Sequence, residues 1–435
     1  MRATNVRARE KRLEILLGGV FAGQLVQDEH GQLRMTYDDA YRRRPDVTPL
    51  SLSMPVSRAE FPHRTVDPFV RGLLPDSDAV LERWGRRFHV SANSPFALLA
   101  HVGDDVAGAV QFVTEDRLDV VVQQGDVQPV DESYIANRLR ILRSDRAAWD
   151  DALAPGQFCL AGAQAKFALY QSPEGTWGMP TGRKATTHIF KPALPYLADQ
   201  DVNEHLCLSA AHKLGLRAAR SKVMRFDEER AIVVQRYDRV LSPDGEVLRI
   251  HQEDFCQALA IQPSRKYQRE DNGPGIEDMV GLMRRVQSHA EAQASAAHYA
   301  KAIAYNWITY APDAHAKNYS ILLHGSEVQP SPLYDVSSVL PYPDRYDRRT
   351  MAMAMSVNRK YQNNLITGHD WSALADRIGV DREQMAGWVH DIAANAPGAF
   401  ADAVADEADT LAGFDVVSAL VDAVAESSRR LMTYL

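Results

Sequence analysis

The chain has 435 residues, of which 45% are apolar, and its 49 Lys and Arg against 57 Asp and Glu give a net charge of −8. This length suffices for roughly two or three domains, and the composition is that of an ordinary globular protein. A mildly acidic chain is not expected to coat nucleic acid by itself, although a local basic face remains compatible with it. The three cysteines, Cys159, Cys207 and Cys256, form no C-x-x-C pattern, which indicates a reducing compartment rather than a disulfide framework.

The N-terminus combines a basic stretch, residues 1–12, with an apolar run, residues 13–23. This order is superficially that of a signal peptide. However, Glu14 interrupts the apolar run, and Gly18 and Gly19 stand where a hairpin turn would. We therefore predict a strand–turn–strand and a cytoplasmic protein. No run approaches the ~20 apolar residues that a spanning helix needs, so no membrane partner is expected.

Residues 1–125 are predicted to form a small mixed α/β subdomain. Apolar alternation and turn residues predict strands, and apolar residues at helical spacing predict helices. The predicted elements are a hairpin or meander at 13–37, a short strand at 50–55, helices at 67–74, 76–87 and 97–101, and a strand at 106–113.

A nucleotide-binding region is predicted for residues 126–240. After a helix at 134–153, a small-residue segment runs from Cys159 to Lys166 into a strand at 167–171, and a later strand at 187–192 carries Lys191. Small residues let backbone N–H groups approach phosphates closely, and the lysine can neutralise those phosphates. The loop alone is weak support because Ala-Gly-Ala turns are common, and the lysine strengthens it.

The same region contains a predicted amphipathic helix at 202–214, closed by Gly215. Glu204 near its start either pairs with Lys191, as a helix glutamate does in kinases, or is a solvated acid favoured by the helix dipole. Strands are predicted at 218–225 and 231–235. Residues 235–239 would then form a hinge whose backbone groups meet an adenine edge.

Residues 305–323 carry the main functional pattern. Asp313 and Asn318 stand five positions apart in a predicted loop between an apolar helix and a buried strand. In a protein-kinase-type loop, an Asp deprotonates the acceptor hydroxyl and an Asn five residues on holds magnesium. Asp335 follows in an apolar run, 333–336, and supplies the oxygen ligand that Mg²⁺ prefers. Alone, this spacing favours a polar loop with a helix-capping Asp; with Asp335 and the upstream lysines, it favours phosphoryl transfer.

The last region, residues 241–435, is predicted to be a helical C-terminal lobe. From Trp371 onward the chain is rich in Ala and helical in pattern. Its acidic bias around 402–422 is interpreted as a solvated face.

Several ordered motifs resemble the HipA family, the serine/threonine kinase toxins of bacterial HipBA toxin–antitoxin modules. LAGAQAKFAL, TTHIFKP, NEHLCL, QRYDR, QEDFCQAL, PDAHAKNYSILL and PLYDVSS fall in family order at family spacings, and PLSLSMP and GAVQF match the family's N-terminal region. The resemblance covers most of the chain. It implies an α+β, protein-kinase-like two-lobed fold with an extra N-terminal mixed α/β subdomain and an all-helical C-terminal lobe.

Residue by residue, the resemblance implies that Asp313 is the catalytic base, that Asn318 and Asp335 bind Mg²⁺, and that Lys191 contacts the ATP phosphates. His315 would be either a metal ligand or a side chain that packs the loop. The remaining implied ATP contacts are Ala161, Gly162, Ala163, Gln164, Lys166, Gln235, Arg236 and Tyr237. Gln252 and Glu253 match family motifs and are assigned only to supporting the loop.

The resemblance also implies partners. The family's substrate is a protein hydroxyl, in the known cases on an aminoacyl-tRNA synthetase, and blocking tRNA charging then arrests growth. A small helix-turn-helix antitoxin resembling HipB joins the kinase on operator DNA. In the family, the phosphate loop usually begins with a serine that the kinase phosphorylates in itself. This chain has Cys159 there, which places that regulatory step in question.

Two other functions fit the same pattern. One is a kinase-like scaffold that acts as co-repressor without catalysis, and the other is a small-molecule phosphotransferase. A degenerate kinase would be expected to lack at least one of Lys191, Asp313, Asn318 and Asp335, and this chain retains all of them.

Overall fold

The computed structural model describes residues 10–122, 125–149, 159–194 and 196–435. Among these, no helix is both long and apolar enough to cross a membrane. The three domain ranges given above, 1–125, 126–240 and 241–435, remain predictions.

The N-terminal part packs an antiparallel sheet against helices. The sheet has the strand order β4-β3-β2-β1-β5. Its strands are β1 (Lys11–Leu17), β2 (Val20–Gln27), β3 (Leu33–Tyr37), β4 (Glu60–Pro62) and β5 (Val110–Val113). The helices are α1 (Asp39–Arg42), α2 (His63–Gly72), α3 (Asp78–Phe88) and α4 (Pro95–Val102). The predicted hairpin is confirmed, because Gly18 and Gly19 turn between β1 and β2 with φ of 59° and 78°.

Two predictions, one in the N-terminal part and one just after it, were wrong in extent or type. Residues 50–55 form no strand; Ser51 and Met54 make only an isolated bridge, and the N–H of Leu52 donates to the Glu253 carboxylate at 2.7 Å. The helix predicted at 134–153 ends at Ser144, because Asp145 adopts an extended conformation. Residues 150–153 of that prediction lie outside the described residues.

The middle part is a six-stranded sheet of order β10-β11-β9-β7-β8-β6 with a helix packed against each face. Its elements are α5 (Leu118–Val122), β6 (Val127–Pro129), α6 (Glu132–Ser144), β7 (Phe167–Gln171), β8 (Trp177–Pro180), β9 (His188–Pro192), α7 (Gln200–Lys213), β10 (Ser221–Phe226) and β11 (Glu229–Gln235). Alternation along β9 divides the core: Phe190 joins the N-terminal apolar cluster, while Ile189 packs against the C-terminal one. Lys191, two residues after Ile189, therefore faces α7.

The predicted helical C-terminal part is confirmed, but it is not all-helical, because short strands are inserted between the helices. Its strands are β12 (Arg239–Leu241), β13 (Val247–Arg249), β14 (His251–Asp254), β15 (Ser320–His324), β16 (Glu327–Pro330), β17 (Ala352–Val357) and β18 (Lys360–Gln362). Its helices are α8 (Phe255–Ala258), α9 (Ile276–Val286), α10 (His289–Thr309), α11 (Gly368–Ile378), α12 (Arg382–Asp406), α13 (Ala408–Leu411) and α14 (Asp415–Leu431).

A buried charge cluster joins the N-terminal part to the rest of the chain. The carboxylate of Asp105 accepts from the guanidinium groups of Arg239 at 2.8 Å and Arg249 at 3.2 Å. Asp238 contacts Arg236 and Arg239, and it also accepts from the N–H of Gly108 at 2.7 Å. Burial by itself would raise the pKa of Asp105, but the three arginines hold it well below its usual range. The cluster therefore stays ionised across the interface.

We expect Asp105→Asn to lower the free energy of unfolding by about 3 kcal/mol or more, because it leaves buried guanidinium groups without their counter-charge. Chemical denaturation measures the change. Asp116→Asn is the control: Asp116 is exposed, and a surface change of this kind stays within about 0.5 kcal/mol. Equal midpoints for the two variants would contradict this role of the cluster.

Candidate active site

A cavity of about 510 Å³ lies between the middle sheet, α7 and the loop that follows α10. It collects residues that are far apart in sequence, including all those predicted to contact nucleotide or metal. The predicted residues that line it are Ala161, Gly162, Ala163, Gln164, Lys166, Lys191, Gln235, Arg236, Tyr237, Asp313, His315, Asn318 and Asp335.

Lys191 is enclosed between two carboxylates at the floor of this cavity. Its Nζ donates to Glu204 Oε1 at 2.7 Å and to Asp335 Oδ1 at 2.8 Å. The side chains of Lys191 and Glu204 are only 8% and 1% exposed, whereas that of Asp335 is 31% exposed. The structure thus selects the pairing of Glu204 with Lys191 over the solvated alternative. Glu204 Oε2 has no hydrogen-bond partner among the described residues.

Asp335 lies on a loop beyond β16 rather than directly after a strand. The apolar run at residues 333–336 forms only an isolated β-bridge, between Leu333 and Ala218. The backbone of Asp335 has a φ of 57°, a conformation uncommon for residues other than glycine. Burial alone would raise the pKa of this carboxyl, but the charge of Lys191 holds it below its usual range. Asp335 is therefore an anion, available to a cation in the cavity.

Asp313 and Asn318 lie on the loop between α10 and β15. The helix ends because Tyr310 adopts a left-handed conformation with φ of 51°. Asn318 Nδ2 then donates to the carbonyl of Asp313 at 2.6 Å, which closes the loop. The Asp313 carboxylate is 61% exposed, and its Oδ1 accepts a hydrogen bond from the hydroxyl of Tyr267.

His315 is buried within this loop. Its ring lies edge-on to Tyr267 with 4.8 Å between centroids, and its Nε2 is 3.7 Å from Asp313 Oδ1. Burial, followed by the charge of Lys266, lowers the pKa of His315 to about 3, so the ring is neutral. These contacts favour the packing role over the metal-ligand role for His315.

The small-residue loop precedes β7 and covers one end of the cavity. Lys166 Nζ donates to the carbonyl of Ala161 at 2.8 Å and so folds the loop back on itself. Gln164 Nε2 donates to Gln200 Oε1 at 3.2 Å, which attaches the loop to α7. Burial, with a smaller effect of the nearby Lys191 charge, lowers the pKa of Lys166 to about 8.

Cys159 begins this loop but lies away from the cavity. Its side chain is completely buried, with Sγ 3.2 Å from the carbonyl oxygen of Leu73, and its N–H donates to the carbonyl of Asp105 at 3.0 Å. Burial raises the pKa of the thiol well above its usual range. In this conformation position 159 belongs to the contact with the N-terminal part.

The hinge presents its backbone and one aromatic ring to the cavity. The guanidinium of Arg236 points into the charge cluster, where it donates to Asp238 and to Thr186 at 2.9 Å. The N–H groups of Gln235 and Arg236 donate to the carbonyls of Arg220 and Thr187. Tyr237 stacks obliquely with Tyr334 at 5.6 Å between ring centroids. Arg236 therefore contributes to the cavity wall chiefly through its backbone.

The structure adds residues that the sequence did not single out for the site. Tyr267 bonds the Asp313 carboxylate, and Asp76 binds the side chains of Lys266 and Lys317. No local pattern marks them, because Asp76 stands far from its lysines in the chain.

The oxygen donors at the cavity fit a magnesium ion. Asp335 offers a carboxylate and Asn318 an amide oxygen, and Mg²⁺ usually takes one or two carboxylates together with substrate phosphates. In the described part of the chain, no group of three or more His, Cys, Asp or Glu side chains could hold a metal ion.

In this cavity a lysine on a strand pairs with a glutamate on a helix. A small-residue loop covers the pair, and a loop that carries Asp313 and Asn318 lies opposite. These features define a kinase-like two-lobed fold. Two family models match the chain: the HipA N-terminal domain over residues 13–113 and the HipA-like C-terminal domain over residues 158–400. The chain belongs to the HipA family.

Individual relatives agree with this assignment. Y4mE of Sinorhizobium fredii, which bears a provisional kinase name, is 34% identical over 372 residues, or 85% of this chain and 86% of its own length. The serine/threonine-protein kinase toxin HipA of Shewanella oneidensis is 27% identical over 416 residues, or 91% of this chain and 90% of its own. A solved complex of HipA, HipB and operator DNA from S. oneidensis matches with a TM-score of 0.81 at 25% identity, covering 97% of this chain and 98% of that one.

We expect Lys191→Met to lower the free energy of unfolding by about 3 kcal/mol near pH 7.5, because Glu204 and Asp335 lose their shared counter-charge. Lys191 holds the pKa of Asp335 below 3.8, so the stability that this pair contributes is present above that pH and is lost only in stronger acid. In the variant, burial raises the carboxyl pKa values, and protonation restores stability as the pH falls. The deficit should therefore be smaller at about pH 5 than at about pH 7.5.

Thermal melts of the wild type and the variant at both pH values measure this deficit. Lys222→Met is the matched control, since Lys222 is exposed and its loss should change the melt little at either pH. A deficit that grows on acidification would contradict the assigned charges.

Proposed function

We propose that this chain is a Mg·ATP-dependent serine/threonine protein kinase and the toxin of a type II toxin–antitoxin module. One observation carries the proposal: Lys191 is enclosed between Glu204 and Asp335. Asp313 lines the same cavity with an exposed carboxylate. A lysine–glutamate pair and a metal-binding aspartate must both be in place for a kinase of this class to act.

Each part of the cavity has a role in this proposal. Backbone N–H groups of residues 161–164 approach the ATP phosphates, while Lys166 and Lys191 neutralise them. The hinge, residues 235–237, lies along the adenine through backbone groups and the Tyr237 ring. Asn318 and Asp335 would hold Mg²⁺, which when bound offsets phosphate charge.

Asp313 is the proposed base. Its carboxylate accepts the proton of a substrate hydroxyl while that oxygen attacks the terminal phosphorus of ATP and ADP leaves. Because Tyr267 already donates to Oδ1, the carboxylate is oriented before the substrate arrives.

The partners follow from the relatives. The solved S. oneidensis complex joins HipA to HipB and operator DNA, and we propose a HipB-like antitoxin dimer and operator DNA for this chain. We also propose a cytoplasmic protein substrate, an aminoacyl-tRNA synthetase, whose phosphorylation arrests translation and growth. Co-repression of the operon would then accompany catalysis.

One experiment separates kinase, scaffold and small-molecule phosphotransferase. Cells that express the chain or its Asp313→Asn variant are compared by phosphoproteomics, and extracts are labelled with ATP to follow transfer to proteins and to metabolites. Protein phosphosites that require Asp313 support the proposal. Labelled metabolites alone, or no transfer at all, would refute it.

The first functional prediction concerns Asp313. Asp313→Asn should reduce phosphoryl transfer by about 10²–10⁴-fold, because an amide cannot accept the proton. Nucleotide affinity should remain, since the phosphate contacts lie elsewhere. Rate measurements with purified target decide it, and Asp344→Asn, an exposed change in a neighbouring loop, serves as control. An unchanged rate for Asp313→Asn would remove Asp313 from the mechanism.

The second concerns the metal. Asp335→Ala should abolish the gain in ATP affinity that Mg²⁺ provides, and Asn318→Ala should reduce that gain less, because an amide contributes only a dipole to a hard cation. Loss of Asp335 also frees Lys191 to bind phosphate directly, which changes ATP affinity without any metal. Calorimetric titrations are therefore made with and without Mg²⁺, and the difference between them isolates the gain that the metal provides. If Asp335→Ala keeps the wild-type gain, the metal assignment is wrong.

The third concerns Cys159. A phosphoserine at this position would carry about two negative charges in a buried contact, and these charges would expel the loop. A thiol is not expected to accept the phosphoryl group, so the chain should bind Mg·ATP without modification at position 159. Cys159→Ser should become phosphorylated there and lose activity as the phosphate accumulates. Intact-mass and peptide spectra read the outcome: phosphate on Cys159, or none on the serine variant, would overturn it.

A further inference from the structure

The turn between α2 and α3 brings a carboxylate of the N-terminal part to the edge of the cavity. Asp76 lies in this turn and lines the cavity, with its side chain only 15% exposed. It accepts hydrogen bonds from Lys266 Nζ, at 2.8 Å, and from Lys317 Nζ. Burial alone would raise the pKa of Asp76, but the two lysines lower it to about 2. Asp76 is thus a fixed charge with two charge-assisted bonds.

The first of these bonds is made by Lys317, which lies in the loop between α10 and β15, here named the catalytic loop. It stands directly before Asn318, and its side chain is 3% exposed. Its carbonyl accepts the hydroxyl of Tyr334 at 2.7 Å, and Tyr334 directly precedes Asp335. Lys317 is therefore held at its side chain by Asp76 and at its backbone by the neighbour of the proposed metal ligand.

Lys266 carries the second bond to the proposed base. Its carbonyl accepts the N–H of Ala316 at 3.3 Å, so its backbone also contacts the catalytic loop. The next residue, Tyr267, donates its hydroxyl to the carboxylate of Asp313. Asp76 therefore restrains the loop directly at Lys317 and, through Lys266 and Tyr267, at Ala316 and Asp313.

The backbone of the same turn holds the small-residue loop, residues 159–166, which is the proposed phosphate loop. The N–H of Asp76 donates to the carbonyl of Gly162 at 3.0 Å, and Pro75 forms a bridge with Gly162. The phosphate loop is thus attached to the main chain of this turn, and the catalytic loop is attached to its side chain.

We infer that Asp76 is a positioning residue that fixes the phosphate loop and the catalytic loop at one separation, which makes the N-terminal part a component of the catalytic machinery. The kinetic consequence rests on the proposed function, whereas the physical link between the two loops does not. In-line transfer requires the attacking and leaving groups to be aligned, and a misplacement of about 1 Å can cost about 100-fold in rate.

Asp76→Asn tests the side-chain half of this link. The amide matches the carboxylate in shape and leaves the backbone contacts with Gly162 in place, but it removes the charge that holds both lysines. We expect kcat to fall about 100-fold with little change in nucleotide Kd, because Lys166 and Lys191 are untouched. Asp76→Glu retains the charge and should recover part of the rate. Asp78→Asn, an exposed change two residues away, is the control and should keep wild-type kinetics.

Amide hydrogen exchange on the same full-length variants provides a readout that needs no kinase activity. In Asp76→Asn, peptides that cover residues 311–319 should exchange faster than in the wild type and in Asp78→Asn. Peptides that cover residues 159–166 should exchange as in the wild type, because the backbone of the turn still holds that loop. A merely local role would accelerate exchange only in the turn between α2 and α3.

The outcomes separate the two claims. Faster exchange in residues 311–319, together with a lower kcat at unchanged Kd, supports the inference. Unchanged exchange in residues 311–319, or a wild-type kcat in Asp76→Asn, overturns it. If the wild type transfers no phosphate, the proposed function fails, and hydrogen exchange alone then decides whether the Asp76 side chain restrains the catalytic loop.

Discussion

The buried charge of Lys191 is the constraint on which the cavity depends. Its two carboxylate partners come from different parts of the chain, Glu204 from α7 and Asp335 from the loop after β16. An ammonium group can be buried only where such partners offset its loss of hydration. The pairing therefore fixes the sheet, the helix and the loop that carries Asp335 relative to one another.

This arrangement also shapes how a nucleotide would enter. Asp335 is bonded to Lys191, so a bound phosphate and a bound metal ion would each compete with this ion pair. Glu204, completely enclosed, keeps Lys191 in place during that exchange. Lys166 lies nearby with a pKa of about 8, and a polyanion would favour its charged form. The cavity is thus arranged for an anionic ligand that arrives with a cation.

The sequence predicted the elements whose signals are local. The β1–β2 hairpin follows from Gly18 and Gly19, and the terminal helices follow from apolar spacing. The short distance from Asp313 to Asn318 places both on one loop, and the strand position of Lys191 places it opposite α7. Residues 50–55 were wrongly predicted as a strand, because their backbone bonds to Glu253, about two hundred positions away.

Contacts set by tertiary structure could not be predicted in this way. Nothing near Asp76 in the sequence indicates Lys266 or Lys317, and nothing near Asp313 indicates Tyr267. Cys159 was correctly placed at the start of the loop, but its side chain lies under the N-terminal part and not in the cavity. Such pairs form where loops from separate elements come into contact in the folded chain. The periodicity of apolar residues in the sequence does not indicate which loops make that contact.

The charge cluster around Asp105 bears on how the chain is made. Its arginine partners lie between residues 236 and 249, so a ribosome that has completed the N-terminal part has not yet produced the groups that neutralise it. A nascent N-terminal part therefore holds a carboxylate that cannot be buried until more than a hundred further residues have emerged. Synthesis proceeds at roughly 5–20 residues per second, which gives a delay of more than about 5 to 20 seconds. Docking of the two parts, and with it the assembly of the cavity, is thereby timed by translation itself.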